Sequence, residues 1–131
     1  MSVAYLDASA VVKLCIVEAE STVLMEHLER YERTISSELT VVEVARAAQR
    51  AIGPEGLLRA EAACARLDLL PISQPIVDRA RHLDPAALRT LDAIHLATAL
   101  EPRTAPTIVA YDEQLLRAAE HHGLLVVAPG R

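Results

Sequence analysis

Residues 3–14 have the sequence VAYLDASAVVKL, in which a short apolar run, one aspartate and a helical pattern follow one another. The run Val3–Leu6 is continuously apolar, as expected of a strand buried on both faces in a parallel sheet. Asp7 follows it directly, and the helical pattern begins at Ser9. This order indicates a strand–helix unit whose acidic residue lies at the carboxyl end of the strand, where open α/β sheets bind ligands.

The rest of the chain continues the alternation of short apolar runs with longer helical patterns. Four more strands are predicted, at 34–36, 69–72, 107–111 and 124–128. Helices are predicted at 9–14, 20–31, 37–52, 57–67, 76–83, 90–100 and 113–122. Strands separated by helices of this length imply right-handed βαβ units. We therefore predict an α/β fold, a three-layer α/β/α sandwich around a parallel sheet of four to five strands.

Length and composition limit the classes of protein to consider. The 131 residues fit one domain, predicted to span 1–131, and the hydrophobic content of 52% is enough to form a core. Aromatic residues make up only 2%, which argues against a platform that stacks single-stranded bases. The net charge is −5, whereas a module that binds duplex nucleic acid usually carries an excess of positive charge. A bound cation or a local arginine patch could still attract nucleic acid.

The cysteines and the apolar runs indicate a cellular compartment. Cys15 and Cys64 lie far apart among apolar residues, as expected of reduced thiols in the core of a cytosolic protein. The first residues lack the charged and apolar regions of a signal peptide. No apolar run approaches the ~20 residues of a membrane span. We predict a soluble, cytoplasmic protein with no membrane partner.

Four acidic residues are candidates for a functional site. Asp7 and Asp112 follow predicted strands, Asp92 lies in the first turn of a nearly apolar helix, and Glu43 lies within the helix 37–52. Each has a purely structural alternative. Asp7 and Asp112 could cap helices, and Asp92 could complement a helix dipole. Glu43 falls away from the apolar face of its helix and could be a solvated side chain that pairs with Arg46.

Taken together, these acids point to a metal ion. Carboxylates that converge at one edge of a sheet repel each other, by about 4 kcal/mol for a pair ~4 Å apart at an effective dielectric of ~20. Such a cluster is costly unless it binds a hard cation. Ligation by oxygen alone favours Mg²⁺ or Mn²⁺ over structural Zn²⁺. A carboxylate-bound Mg²⁺ suits hydrolytic phosphoryl transfer.

Four segments resemble the sequence blocks of PIN domains: 5–14 (YLDASAVVKL), 36–44 (SSELTVVEV), 91–99 (LDAIHLATA) and 110–115 (AYDEQL). Their order and spacing cover nearly the whole chain, and the size resembles that of VapC toxins of VapBC toxin–antitoxin pairs. The resemblance implies an endoribonuclease that depends on Mg²⁺ or Mn²⁺ and hydrolyses phosphodiester bonds in RNA. It also implies homodimers and a cognate VapB antitoxin whose C-terminal segment covers the acidic groove.

The resemblance implies an acidic tetrad of Asp7, Glu43, Asp92 and Asp112. Asp7 and Asp92 would be the main metal ligands, and Asp112 would complete the coordination or act through water. Glu43, which the resemblance also counts among the metal residues, would help to position or activate the attacking water. Ser9 matches a hydroxyl position of the family and is expected either to bond within the site or to be a solvated first-turn residue.

Other polar residues leave alternatives open. His95 lies one turn after Asp92 and could orient a carboxylate, although a satisfied core histidine is favoured. Arg46, Arg50 and Arg89 could hold RNA phosphates or be ordinary surface residues. The rival function is a catalytically silent PIN-like module that binds RNA or protein. A broken tetrad would indicate that rival, and all four acids are present.

Overall fold

The computed structural model describes residues 2–131, in which short strands alternate with helices. The strands are β1 (Val3–Leu6), β2 (Arg33–Ser37), β3 (Asp68–Leu70), β4 (Thr107–Val109) and β5 (Val126–Val127). The helices are α1 (Ala8–Cys15), α2 (Ser21–Leu28), α3 (Glu38–Ile52), α4 (Pro54–Cys64), α5 (Gln74–His82), α6 (Thr90–Ala99) and α7 (Glu113–His121). None of the helices within residues 2–131 combines the length and apolar content needed to cross a membrane.

The five strands form one parallel sheet in the order β3-β2-β1-β4-β5. In the centre, Tyr5 of β1 is in register with Ile35 of β2 on one side and with Ile108 of β4 on the other. Because β2 lies on one side of β1 and β4 on the other, the strand order reverses at β1. This reversal makes a crevice at the carboxyl ends of the strands. The predicted α/β fold with a parallel sheet is confirmed.

Helices cover both faces of the sheet and create two cores. Successive residues of β1 point to opposite faces. Ala4 and Leu6 pack in a core with residues of α1, α3 and α4, whereas Val3 and Tyr5 pack in a second core with residues of α6 and α7. Both cores are mainly aliphatic, as the composition predicts. The three-layer α/β/α arrangement is therefore confirmed.

Strand β3 is less buried than a strand of a parallel sheet covered by helices on both faces is expected to be. Asp68 and Leu69 are exposed, and Asp68 pairs with Arg33 at an Oδ2–Nε distance of 3.0 Å. The expectation is wrong here because β3 is an edge strand and pairs only with β2. A charged residue on an edge strand also discourages pairing with another chain.

The strand before Asp112 is shorter than the sequence pattern indicates. β4 ends at Val109, and Ala110 and Tyr111 separate it from Asp112. The Ala110 N–H still donates to the Val127 carbonyl at 3.2 Å, but the Tyr111 N–H donates to Ser9 Oγ at 2.9 Å. The β-ladder therefore ends because a side chain takes over as hydrogen-bond acceptor at Tyr111.

Glycines allow α3 and α4 to meet closely. Gly53 ends α3 with a φ of 75°, a conformation that glycine adopts without steric cost, and Pro54 begins α4. Gly56 is buried, and a Cβ at this position would overlap the Ala48 carbonyl of α3. The close packing of these helices therefore depends on the missing side chain of Gly56.

The substitution Gly56→Ala should destabilise the protein. The new methyl group meets backbone, which cannot move cheaply, so we expect a loss of about 1–3 kcal/mol in the free energy of unfolding despite the better helix propensity of alanine. Urea denaturation measures this loss. Leu58→Ala on the same helix is the control, because Leu58 is 66% exposed and its change should stay within about 0.5 kcal/mol. Equal stability of the two variants would contradict the close approach of α4 to α3 at Gly56.

Candidate active site

Asp7 lies at the carboxyl end of β1 and caps α1. Its Oδ1 accepts the Ala10 N–H at 3.1 Å and the Ser9 hydroxyl at 2.6 Å. Ser9 Oγ in turn accepts the Tyr111 N–H, so one hydroxyl joins the ends of β1 and β4. Among residues 2–131, nothing donates to Asp7 Oδ2. The aspartate thus caps a helix with one oxygen and keeps the other available.

Burial controls the ionisation of Asp7. The carboxyl group is only 4% exposed, and this burial raises its pKa to about 6. Repulsion from Asp92 adds a smaller upward effect, whereas the Ser9 hydrogen bond and the charge interaction with His95 lower the pKa. The fold therefore holds a carboxyl group that ionises reluctantly at the edge of the sheet.

Asp92 and Asp112 are joined by Arg89. The Asp112 Oδ1 caps α7 by accepting the N–H groups of Gln114 at 2.9 Å and Leu115 at 3.1 Å. Its Oδ2 accepts from Arg89 Nη2 at 2.9 Å, and Arg89 Nε lies 3.6 Å from Asp92 Oδ2. The guanidinium therefore supplies positive charge between two carboxylates that repel each other.

Asp92 retains an unsatisfied oxygen. Its Oδ2 is buried and, within the described part of the chain, has no hydrogen-bond partner. Burial raises the pKa of Asp92, repulsion from Asp112 raises it further, and Arg89 opposes both. A buried carboxylate oxygen without a hydrogen-bond donor is costly, and Arg89 Nε, 3.6 Å away, balances its charge without donating a hydrogen bond. The helix dipole of α6 alone does not account for this oxygen.

Glu43 turns away from Arg46 and towards the sheet. Its Oε1 accepts from His95 Nε2 at 2.6 Å, and His95 Nδ1 lies 2.7 Å from the Tyr5 hydroxyl. No ion pair joins Glu43 to Arg46 within residues 2–131. The alternative of a solvated Glu43–Arg46 pair is therefore wrong, because a histidine from the opposite helix layer provides a buried donor.

The four acids lie around one edge of the sheet but do not form a closed cluster. The ionisation of Asp92 responds to both Asp112 and Glu43, and that of Asp7 responds to Asp92, so the carboxylates are electrostatically coupled. Yet no three histidine, cysteine, aspartate or glutamate side chains within residues 2–131 are grouped closely enough to hold a metal. Arg89 lies between Asp92 and Asp112 instead.

Comparisons with known proteins identify the family of this chain. A family model of the PIN domain matches residues 4–121. The chain is 48% identical to Ribonuclease VapC35 of Mycobacterium tuberculosis, over 97% of each chain. It is 40% identical to Ribonuclease VapC46 of the same organism, over 98% of this chain and 99% of the relative. The chain belongs to the PIN-domain family.

Solved structures share the fold of this PIN domain. M. tuberculosis VapC20, a toxin that cleaves the sarcin–ricin loop, superposes with a TM-score of 0.76 at 16% identity, covering 96% of this chain and 99% of that one. A chain of a toxin–antitoxin complex from Klebsiella pneumoniae gives a TM-score of 0.74 at 24% identity, covering 96% and 97%. At these identities the likeness establishes the fold alone.

The sequence underestimates two residues of the PIN-domain edge. It indicates Arg89 only as a phosphate-binding or surface residue, and it favours His95 as a core histidine. His95 is indeed a core residue, and it also binds a carboxylate. Both lie three residues from Asp92, on either side of it along the chain, so helical spacing was the available signal. No spacing in the sequence indicated that Glu43 on α3 is the hydrogen-bond partner of His95.

Asp7→Asn should stabilise the metal-free protein at high pH. Burial raises the pKa of Asp7 from 3.8 to about 6. At a pH between these two values, Asp7 therefore holds a proton in the folded state that it has released in the unfolded state. Stability therefore falls as pH rises through this window. Asparagine keeps an Oδ1 acceptor for Ser9 and Ala10. In EDTA the variant should melt a few degrees above the wild type at pH 8, with the difference shrinking towards pH 4.

Differential scanning fluorimetry across this pH range measures the effect. Asp78→Asn on α5 is the control, because the Asp78 side chain is 56% exposed and lies in the solvent. A melting difference for Asp7→Asn that did not change with pH would contradict the link between burial and ionisation.

Proposed function

We propose that this PIN domain is an Mg²⁺- or Mn²⁺-dependent endoribonuclease, the toxin of a VapBC-type toxin–antitoxin pair. The observation that carries the proposal is the buried Asp92 Oδ2, which has no donor among residues 2–131 and lies at the edge shared with Asp7 and Asp112. The names of the relatives, Ribonuclease VapC35 and Ribonuclease VapC46, support RNA as the substrate. A cytoplasmic location accords with such a substrate.

Two carboxylate oxygens at the edge are suited to a hard divalent cation. Asp7 Oδ2 and Asp92 Oδ2 are carboxylate oxygens without donors in the described residues, and oxygen ligands are those that Mg²⁺ and Mn²⁺ prefer. We assign Asp7 and Asp92 as the main ligands and Asp112 as the residue that completes the set. When bound, the ion would polarise a phosphate oxygen and lower the pKa of an attacking water.

The remaining residues prepare this edge for a phosphodiester. Ser9 fixes the orientation of the Asp7 carboxylate through its hydrogen bond to Oδ1. Glu43, held by His95, presents its free Oε2 as the acceptor that positions a water molecule. Arg89 is 70% exposed and neutralises Asp92 and Asp112 until a cation does so. These contacts orient the acids and limit their mutual repulsion.

We propose the partners of this chain from the solved structures that share its fold. Neighbours with solved structures include VapBC-1 of nontypeable Haemophilus influenzae and VapBC2 of Rickettsia felis bound to a fragment of promoter DNA. We infer that a VapB-type antitoxin binds this chain and covers the acidic edge. The family resemblance further implies a homodimer. Both assignments rest on the family rather than on a contact within the chain.

The rival function is a silent binding module. In it, an edge held together by Arg89 and His95 would bind RNA or protein without cutting. Cleavage in the presence of metal distinguishes the two functions directly.

The purified protein should cleave RNA when Mg²⁺ or Mn²⁺ is present and stop when EDTA is added. Asp92→Asn should lower the cleavage rate at least about a hundredfold, because it removes a charge that no neighbour replaces. A panel that includes total tRNA and rRNA, followed by gel electrophoresis, measures the rate. Mn²⁺ should also raise the melting temperature of the wild type but not of Asp92→Asn.

Glu113→Gln is the matched control for this loss. Glu113 follows Asp112 at the start of α7 but its side chain is 82% exposed, so cleavage should persist. If the wild type with metal cuts none of the panel, the silent binding module becomes the better function.

Two arginines on α3 are placed to hold the RNA backbone. Arg46 and Arg50 line a groove of about 460 Å³ together with Ser9 and Glu43. Both are exposed, and within residues 2–131 neither forms an ion pair. In a chain of net charge −5, unpaired cations beside the acidic edge offer a local site for phosphates.

The double variant Arg46→Gln, Arg50→Gln should weaken RNA binding and its salt dependence. Each lost phosphate contact lowers the slope of log Kd against log salt by about 0.7 for a single strand, so we expect a decrease of about 1.4. Fluorescence anisotropy with a labelled RNA in EDTA measures binding without cleavage. The control is Arg103→Gln, an exposed arginine in the groove beside Val3 and Arg33 at the opposite edge of the sheet. An equal effect of the control would exclude a local phosphate site.

A further inference from the structure

We propose that His95 is a positioning residue that holds the Glu43 carboxylate in place at the acidic edge of the sheet. The inference rests on the proposed function, in which Glu43 orients the attacking water. It is carried by a row of three side chains, Tyr5, His95 and Glu43, which runs from the central strand through the core to the edge. The three residues come from β1, α6 and α3.

The hydrogen bonds of this row fix which nitrogen carries the proton. An ionised Glu43 can only accept, so His95 Nε2 must donate across the 2.6 Å to Oε1. In the neutral ring Nδ1 is then the acceptor, and the Tyr5 hydroxyl donates to it across 2.7 Å. Tyr5 is 1% exposed, and burial raises its pKa well above the usual value, so it remains a phenol able to donate.

The ring of His95 is held tightly. It is 2% exposed and meets the Tyr5 ring edge-on, with ring centroids 5.9 Å apart at 75°. A buried imidazole needs partners for both nitrogens, and these are supplied from two directions. The histidine therefore has one orientation, and its donor points at Glu43. This is more than a core packing role requires, because an aliphatic residue would fill the same space without polar groups.

Glu43 depends on this donor for its position. Its side chain is 22% exposed, and within residues 2–131 His95 is its hydrogen-bond partner. Without His95, a glutamate on the polar side of α3 would be free to extend into solvent or towards Arg46. With His95 bound to Oε1, Oε2 is left to accept a hydrogen bond at the edge. The histidine thus acts through Glu43 and does not touch the substrate.

Variants of His95 distinguish its role in positioning Glu43 from its role in filling the core. His95→Leu fills the volume but removes the donor, and it should lower kcat for RNA cleavage by about 10–100-fold while KM changes less than about twofold. His95→Gln keeps an N–H donor and should recover most of this loss. Leu96→Ile on α6 is the packing control, because Leu96 is 1% exposed and its apolar side chain packs in the same core without a hydrogen bond.

A double variant tests whether His95 acts through Glu43. If it does, His95→Leu should cost little extra activity in a Glu43→Gln background, because the carboxylate it positions is already absent. If the losses multiply, or if Leu96→Ile lowers kcat as much as His95→Leu, the positioning role is wrong. A wild type that cleaves no RNA would overturn the proposed function instead.

A readout independent of cleavage completes the test. Long-range ¹H–¹⁵N correlation spectra report which ring nitrogen of His95 carries the proton, and they should show the Nε2–H form in the wild type. Glu43→Gln and Tyr5→Phe should each shift the ¹⁵N resonances of the ring. Resonances that neither variant changes would contradict the row of hydrogen bonds, whatever the activity of the protein.

Discussion

The structure depends on the pairing of β1 with a parallel strand on each side. β2 and β4 both hydrogen-bond to Val3–Leu6, so all three strands end at the same edge. This pairing fixes where the chain emerges: Asp7 leaves β1 in the centre, α3 begins directly after β2, and Asp112 follows β4 after a two-residue extension. The acidic edge is thus a consequence of strand direction, since parallel strands gather their carboxyl ends together.

Carboxylates that lie together at one edge repel each other, and individual neighbouring residues reduce this repulsion. Burial raises the pKa of both Asp7 and Asp92, which shows that the site works against ionisation. Donors oppose this tendency: Ser9 binds Asp7, Arg89 neutralises Asp92 and Asp112, and His95 binds Glu43. Asp92 Oδ2 is buried and still has no hydrogen-bond donor among residues 2–131, so an additional cation would contribute there.

Local pattern was enough to predict the fold and the strand-end acids, but not the contacts between distant segments. Apolar runs and helix signals predicted the five strands and seven helices, and resemblance to the family singled out Glu43. The apolar pattern did not predict the exposure of β3, because β3 is exposed by its place at the end of the strand order and not by its composition. Helical periodicity placed Glu43 in solvent, since it measures only the apolar face of α3. The donor that draws it inward, His95, is 52 residues away along the chain, and no local pattern encodes such a pair.

Helix capping and ligand binding are not alternatives for an aspartate at the end of a strand. Asp7 and Asp112 both cap, as a structural interpretation requires, yet each uses only Oδ1 to accept the helix N–H groups. The cap fixes the carboxylate plane and places it in the favourable field of a helix N-terminus, which supports its negative charge. The second oxygen then points in a defined direction: that of Asp112 meets Arg89, and that of Asp7 has no donor among residues 2–131. Capping therefore orients one oxygen of each carboxylate and leaves the other available, so an N-cap aspartate after a central parallel strand remains a candidate for a functional residue.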